Sequence, residues 1–282
     1  MPAVTLTDGA WGTQLQARGL GPEEVPDEWN LRRPESVEEV ARLYVEAGSQ
    51  VILTNTFRAS RVVLREKGLE TQVTAINRAG VEISKRAAAG RAKVFASIGP
   101  SGKLLLTGDV TEEELDAAFR EQAEALAAAG ADGLVIETMS DLAEAKIALA
   151  AAKATGLFTV ACMVYDSGKN KDRTMMGVTP EQAAAELDEA GADVIGANCG
   201  NGIAGYVPVC ERLRAATRRT VWIKPNAGLP EMQGGAVIYR TTPEEFASYV
   251  PRLAAAGASY IGGCCGTSPE FIRAAARALA NP

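Results

Sequence analysis

The chain contains no histidine. That absence removes the side chain that most often binds zinc and most often acts as acid or base near neutral pH. Metal or proton chemistry here therefore falls to Cys, Asp, Glu, Lys or Tyr. A basic excess is missing too: the formal net charge is −6, which argues against a nucleic acid or an anionic membrane surface as partner. No apolar run reaches the roughly 18 residues of a membrane-spanning helix. The opening MPAVTLTDGA has neither the charged nor the apolar region of a signal peptide, so a cytoplasmic protein without membrane attachment is expected. Cysteine is scarce and odd in number, five in 282 residues. In a reducing compartment such thiols stay free, and disulfides are not expected.

What is present is an alternation. Short apolar or β-branched runs trade places with long Ala- and Glu-rich stretches of helical period. Eight strands are expected, at Val4 to Thr7, Gln50 to Leu53, Val94 to Ile98, Gly133 to Ile136, Phe158 to Val164, Val194 to Ala197, Val221 to Lys224 and Tyr260 to Gly262. The helices between them carry start signals. Thr111-Glu112-Glu113-Glu114 reads as a capping box, and Thr179-Pro180 and Thr242-Pro243 place proline at the first helical position. Several stop on one phrase, as in Ala129-Gly130-Ala131-Asp132 and Ala190-Gly191-Ala192-Asp193, where glycine caps the helix before the next strand.

Eight such units match one α/β domain over residues 1–282, a (β/α)8 or TIM barrel, a fold that typically takes about 250 residues. A doubly wound open sheet is the competing arrangement. In the barrel, the long irregular stretches 9–33, 54–70, 99–110, 165–178 and 226–241 each follow a strand and gather on the C-terminal rim, where the active site is expected.

The rim would bring chemistry together. Cys199 ends strand six, and Cys264 and Cys265 end strand eight inside Gly262-Gly263-Cys264-Cys265-Gly266-Thr267. Three thiolates around one zinc would leave a fourth tetrahedral position open, the arrangement of a catalytic site; buried structural thiols are the alternative. Cys162, within a strand, and Cys210, within a helix, read as core thiols. Asp8 ends strand one and Glu137 strand four, as carboxylates that can hold an ammonium group, act as acid and base, or cap loops. Asn55 and Asn226 end strands two and seven, as donors, acceptors, metal oxygens or simple turn residues. Gly99-Pro100-Ser101-Gly102-Lys103 lacks the spacing of a phosphate-binding loop.

Taken together, Asp8-Gly9-Ala10-Trp11-Gly12-Thr13, Thr54-Asn55-Thr56-Phe57, Glu137-Thr138, Gly196-Ala197-Asn198-Cys199, Pro225-Asn226-Ala227-Gly228-Leu229-Pro230 and Gly262-Gly263-Cys264-Cys265-Gly266-Thr267 resemble the zinc-dependent homocysteine S-methyltransferase family. The likeness runs from residue 8 to about residue 272, and the Asn-Ala-Gly-Leu-Pro phrase is most similar to the homocysteine module of cobalamin-dependent methionine synthase. The resemblance implies zinc on Cys199, Cys264 and Cys265, homocysteine sulfur in the open position, and Asn226 there when substrate is absent. It implies that Asp8 and Glu137 hold the amino acid end of homocysteine, with Asn55 and Asn226 among the substrate contacts. Trp11 departs from the family pattern, where a smaller or unbranched residue is expected.

The implied activity is methyl transfer to the homocysteine thiol, giving methionine. Coordination to zinc ionises a thiol outright, so no histidine base is needed. The donor stays open between methylcobalamin on a separate corrinoid protein and a free donor of the S-methylmethionine type. A chain without histidine cannot carry the histidine-bearing cobalamin motif, and 282 residues are expected to leave no room for folate or cobalamin modules. The alternatives are a methyltransferase for another thiol, and a homocysteine and zinc holder that works only with a separate corrinoid or folate carrier.

Overall fold

The computed structural model describes residues 4–234 and 236–280. Eight parallel strands form one sheet: β1 (Thr5–Leu6), β2 (Val51–Ile52), β3 (Lys93–Ile98), β4 (Gly133–Met139), β5 (Phe158–Met163), β6 (Val194–Gly202), β7 (Thr220–Asn226) and β8 (Ala258–Ile261). Their order is β1-β8-β7-β6-β5-β4-β3-β2. Consecutive strands lie side by side and the last pairs with the first, which is a barrel and excludes the doubly wound sheet, whose order reverses part-way. The seam between β1 and β2 is narrow. Gln50 closes it, its backbone N–H donating to Leu6 O at 2.8 Å and its side-chain oxygen accepting from Leu6 N at 3.1 Å.

One long helix follows each strand: α1 (Pro34–Ala47), α2 (Val73–Ala88), α3 (Glu112–Ala128), α4 (Leu142–Lys153), α5 (Pro180–Glu189), α6 (Ile203–Ala216), α7 (Pro243–Ala255) and α8 (Pro269–Ala280). The start signals act as expected. The Thr111–Glu114 capping box is complete, and Thr179 and Thr242 accept from the backbone N–H three residues on. Gly130 and Gly191 sit past their helices at φ 89°, the left-handed cap that glycine alone adopts freely.

Side chains alternate along each strand between the barrel interior and the helix layer. Inside lie Val51, Phe95, Val135, Val160, Val194 and Trp222, packed as a cluster of their own. Trp222 stacks on Phe95 with ring centroids 6.3 Å apart and meets Tyr260 at 5.1 Å. These rings plug the barrel, so whatever binds must bind above them.

The strands depart from the expected bounds where the site lies. β4, expected to stop at Ile136, runs to Met139, and β6, expected to stop at Ala197, runs to Gly202. Both extensions contain a break in register, between Ile136 and Met139 and between Cys199 and Gly202. A bulge adds a residue and re-aims side chains, a geometry that hydrophobic alternation does not signal. The loop after β7 also holds an unexpected antiparallel hairpin, Glu231–Gln233 with Ala236–Ile238.

Candidate metal centre and substrate cavity

Cys199, Cys264 and Cys265 meet above the rim, their Sγ atoms all within 4.8 Å of one another. Among the described residues theirs is the one such group of metal-ligating side chains. Cys199 reaches this point at φ 62°, in the left-handed region that a residue with a Cβ rarely adopts. The bulge in β6 imposes that conformation. The Cys264-Cys265 turn is held from three sides. Gly263 N donates to Asp8 O at 2.9 Å, Cys264 N to Pro225 O at 2.8 Å, and Ala227 N to Cys265 O at 2.9 Å. Thr267 completes the clamp, its hydroxyl donating to Cys264 O at 2.7 Å and accepting from Ala10 N at 3.1 Å. A Cβ on Gly263 would run into the Thr267 side chain, which is why that position has none.

The donor set fits a thiophilic divalent cation. Zinc–thiolate bonds of about 2.3 Å in a tetrahedron place sulfurs about 3.8 Å apart, which falls within the 4.8 Å that bounds the three separations. Left to themselves the thiols hold their protons. A hydrogen bond with Cys264 works to lower the Cys199 pKa, but its bond with Cys265 and burial outweigh that and push it up to about 12. Cys265 is likewise pushed up to about 12: its bond with Cys199 lowers it, while the bond with and charge of Cys264, together with burial, prevail. The bond from Cys199, then burial and neighbouring charge, raise Cys264 as well. A cation entering this cluster has to displace those protons, so its binding releases protons and strengthens as pH rises.

Asn226 lies between the two cysteine-bearing turns. Its Nδ2 donates to Gly200 O at 2.9 Å, while its Oδ1 is buried without a partner among the described residues. An orphaned buried oxygen on a residue bonded to the turn after Cys199 is open to a donor or a cation, although the cavity lining does not include Asn226.

The thiols open onto a cavity of about 310 Å³, lined among others by Trp11, Asp27, Asn55, Arg58, Glu137 and Lys224. Glu137 sits at the β4 bulge, 7 % exposed, its carboxylate accepting from Ser97 Oγ at 2.5 Å and from Asn198 Nδ2 at 3.3 Å. Burial raises its pKa, against the pull of Lys224 and Ser97. Asn55 lines the cavity too, but its amide nitrogen is spent on Pro26 O at 2.7 Å and Asn30 Oδ1 at 3.0 Å.

Asp8 is placed differently. Its Oδ2 accepts from Leu53 N at 2.7 Å and Trp11 Nε1 at 2.8 Å, and its Oδ1 pairs with Lys224 Nζ. Among the described residues the cavity lining does not include Asp8, which is fully buried. Trp11, the departure from the family pattern, is thus a donor to Asp8 as well as a wall. Cys162 and Cys210 lie in the core, 1 % and 0 % exposed, as expected of structural thiols.

Sequence reasoning missed Lys224, Asn198 and Ser97. A signal for two of them was present: Lys224 follows Trp222 by two residues and Ser97 follows Phe95 by two, so both face inward one layer above the aromatic plug. Asn198 is fully buried. Its Oδ1 accepts from Thr138 N at 2.7 Å, and its Nδ2 donates to Thr138 Oγ1 at 2.7 Å and approaches Cys264 Sγ at 3.8 Å.

Comparison with known proteins agrees with this geometry. The family model for homocysteine S-methyltransferase matches residues 5–279. The chain belongs to that family of enzymes. It is 30 % identical over 294 residues to methionine synthase of Mycobacterium tuberculosis, covering 99 % of this chain and 25 % of that protein. The methionine synthase of Mycobacterium leprae is also 30 % identical, and the chain spans about a quarter of the length of both relatives. Among solved structures, the metallated form of the Escherichia coli homocysteine methyltransferase MmuM superposes with a TM-score of 0.81 at 26 % identity, covering 96 % of this chain and 94 % of that one. Its oxidised form matches with the same score and identity. Among the described residues no helix is long and apolar enough to cross a membrane.

Proposed function

We propose that this homocysteine S-methyltransferase family member binds zinc through Cys199, Cys264 and Cys265 and methylates the thiol of homocysteine to give methionine. The observation that carries the reading is the three-sulfur cluster opening onto a cavity sized for a small amino acid. When bound, zinc supplies a Lewis acid that lets a thiol ionise near neutral pH without a histidine. The chain's residues do the rest. The cysteines converge on one side of the cavity, so a substrate sulfur entering the open position is fixed at the cavity's end. Glu137, a buried carboxylate in the wall, suits the substrate's ammonium. Asp8 contributes by holding Lys224 and Trp11 in the same wall, Asn55 by fixing the loop of Pro26 and Asn30, and Asn226 by offering Oδ1 to the site before substrate arrives. In the transfer, the sulfur–methyl bond forms as the methyl–donor bond breaks, and the thiol proton leaves to solvent on binding.

A second reading has one observation behind it: the chain matches about a quarter of the methionine synthases it resembles. In that reading it is a homocysteine and zinc unit that meets its methyl group on a corrinoid or folate carrier. Incubating the zinc-loaded chain with homocysteine and either S-methylmethionine, betaine, S-adenosylmethionine or free methylcobalamin separates the two. Methionine formed from a free sulfonium donor supports a self-sufficient enzyme; methionine formed only with a methylated carrier protein supports the second. A chain that neither binds homocysteine nor forms methionine with any donor would sink both.

A further inference from the structure

The cavity wall carries a cation that the assignments above leave unspent. Lys224 is 2 % exposed, lines the cavity, and pairs with Asp8. An ammonium has three N–H donors, and among the described residues Asp8 is the one hydrogen-bonding partner of Lys224. Asp8, for its part, is occupied on both oxygens, fully buried and outside the cavity lining. The wall thus carries two buried carboxyl groups, Asp27 and Glu137, and two cations, of which Arg58 is exposed and Lys224 is buried.

We propose that Lys224 binds the α-carboxylate of an amino-acid thiol in this cavity while Glu137 faces its ammonium, with Asp8 as the positioning residue for Lys224. The proposal rests on the amino-acid-thiol reading given above and makes the site selective for a zwitterion. A buried ion pair with unused donors is costly to keep. A lysine needed only to neutralise Asp8 has no reason to reach the lining, whereas a substrate carboxylate would satisfy the remaining N–H groups with charge-assisted hydrogen bonds.

Calorimetric binding to the metal-loaded full chain tests this with three thiols: homocysteine, 3-aminopropane-1-thiol, which lacks the carboxylate, and 4-mercaptobutanoate, which lacks the ammonium. The wild type is expected to bind homocysteine about 10- to 100-fold more tightly than 3-aminopropane-1-thiol, the range of a charged hydrogen bond. Lys224→Met alone would strand Asp8, so the deciding variant is Asp8→Asn combined with Lys224→Met, which removes both charges together. There the preference for homocysteine should collapse to near parity, and 4-mercaptobutanoate should weaken as much as homocysteine does. A double variant that keeps the wild-type preference would show Lys224 to be only the counterion of Asp8 and overturn the proposal. Equal wild-type binding of homocysteine and the carboxylate-free thiol overturns it too, while leaving the thiol-binding reading standing. Failure of the wild type to bind any of the three overturns both.

Discussion

At the scale of single residues, the cavity is built from polar groups buried where they are expensive to keep. Asp27 is the clearest. It lies in the loop after β1, 1 % exposed, and lines the cavity while accepting from Arg58 N at 2.9 Å. Burial raises its carboxyl pKa to about 6, against the lowering effect of the Arg58 backbone N–H. The folded chain therefore holds a proton on Asp27 between about pH 4 and pH 6 that the unfolded chain releases. With more protons on the native state, stability falls as pH rises through that window, by about 3 kcal/mol for this group. Asp27→Asn keeps an acceptor for Arg58 and cannot ionise. Denaturant unfolding at pH 4 and pH 7 is expected to show the variant gaining on the wild type by about that amount at the higher pH. Parallel pH dependence in the two chains would mean that Asp27 does not carry this burden.

At the scale of elements, the site depends on two strand ends that abandon regular pairing. Thr138, in the β4 bulge, sits at φ 63°, and Cys199, in the β6 bulge, at φ 62°. Neither is glycine, so both conformations cost energy unless the surroundings enforce them. Asn198 does the enforcing: its amide binds Thr138 on β4 and reaches Glu137 and Cys264. Asn198→Ala leaves the Thr138 N–H without its buried partner, and the expected loss is about 1–3 kcal/mol in denaturant unfolding. Metal affinity, measured by competition with a chelating dye, should fall about 10-fold or more, as when outer hydrogen bonds to a metal site are removed. Wild-type affinity with wild-type stability would show the link to be idle. The bulges also mark the limit of what the sequence made legible. Helix caps at Thr111, Thr179 and Thr242 and the glycine stops were readable because each is set by local chemistry, and the cysteine cluster because the repeating strand–helix pattern places all three thiols on one rim. The extended ends of β4 and β6 were not, because pairing across strands decides them. Lys224 was missed for a related reason: a lysine in an apolar run reads as a strand edge until the barrel closes and its neighbours turn inward.

At the scale of the whole molecule, the cysteines come from units far apart in the chain, and the barrel alone brings them together. Cys199 lies at the bulge in β6, while Cys264 and Cys265 follow β8, with β7 between them contributing Asn226. The unfolded chain holds no such cluster, so a metal bound there stabilises the folded barrel as a whole rather than one loop. By mass action, free metal at about 1,000 times its dissociation constant adds about 4 kcal/mol to the unfolding free energy. Dialysis against a chelator, with reductant present to keep the thiols free, is expected to lower the unfolding midpoint, and one equivalent of zinc per chain should restore it. Cys265→Ala should start near the chelated value and respond to neither treatment, because two sulfurs cannot replace three. A wild-type midpoint indifferent to chelator and zinc would leave the sulfur cluster as packing. A mutant that still responds as the wild type does would move the metal away from Cys265.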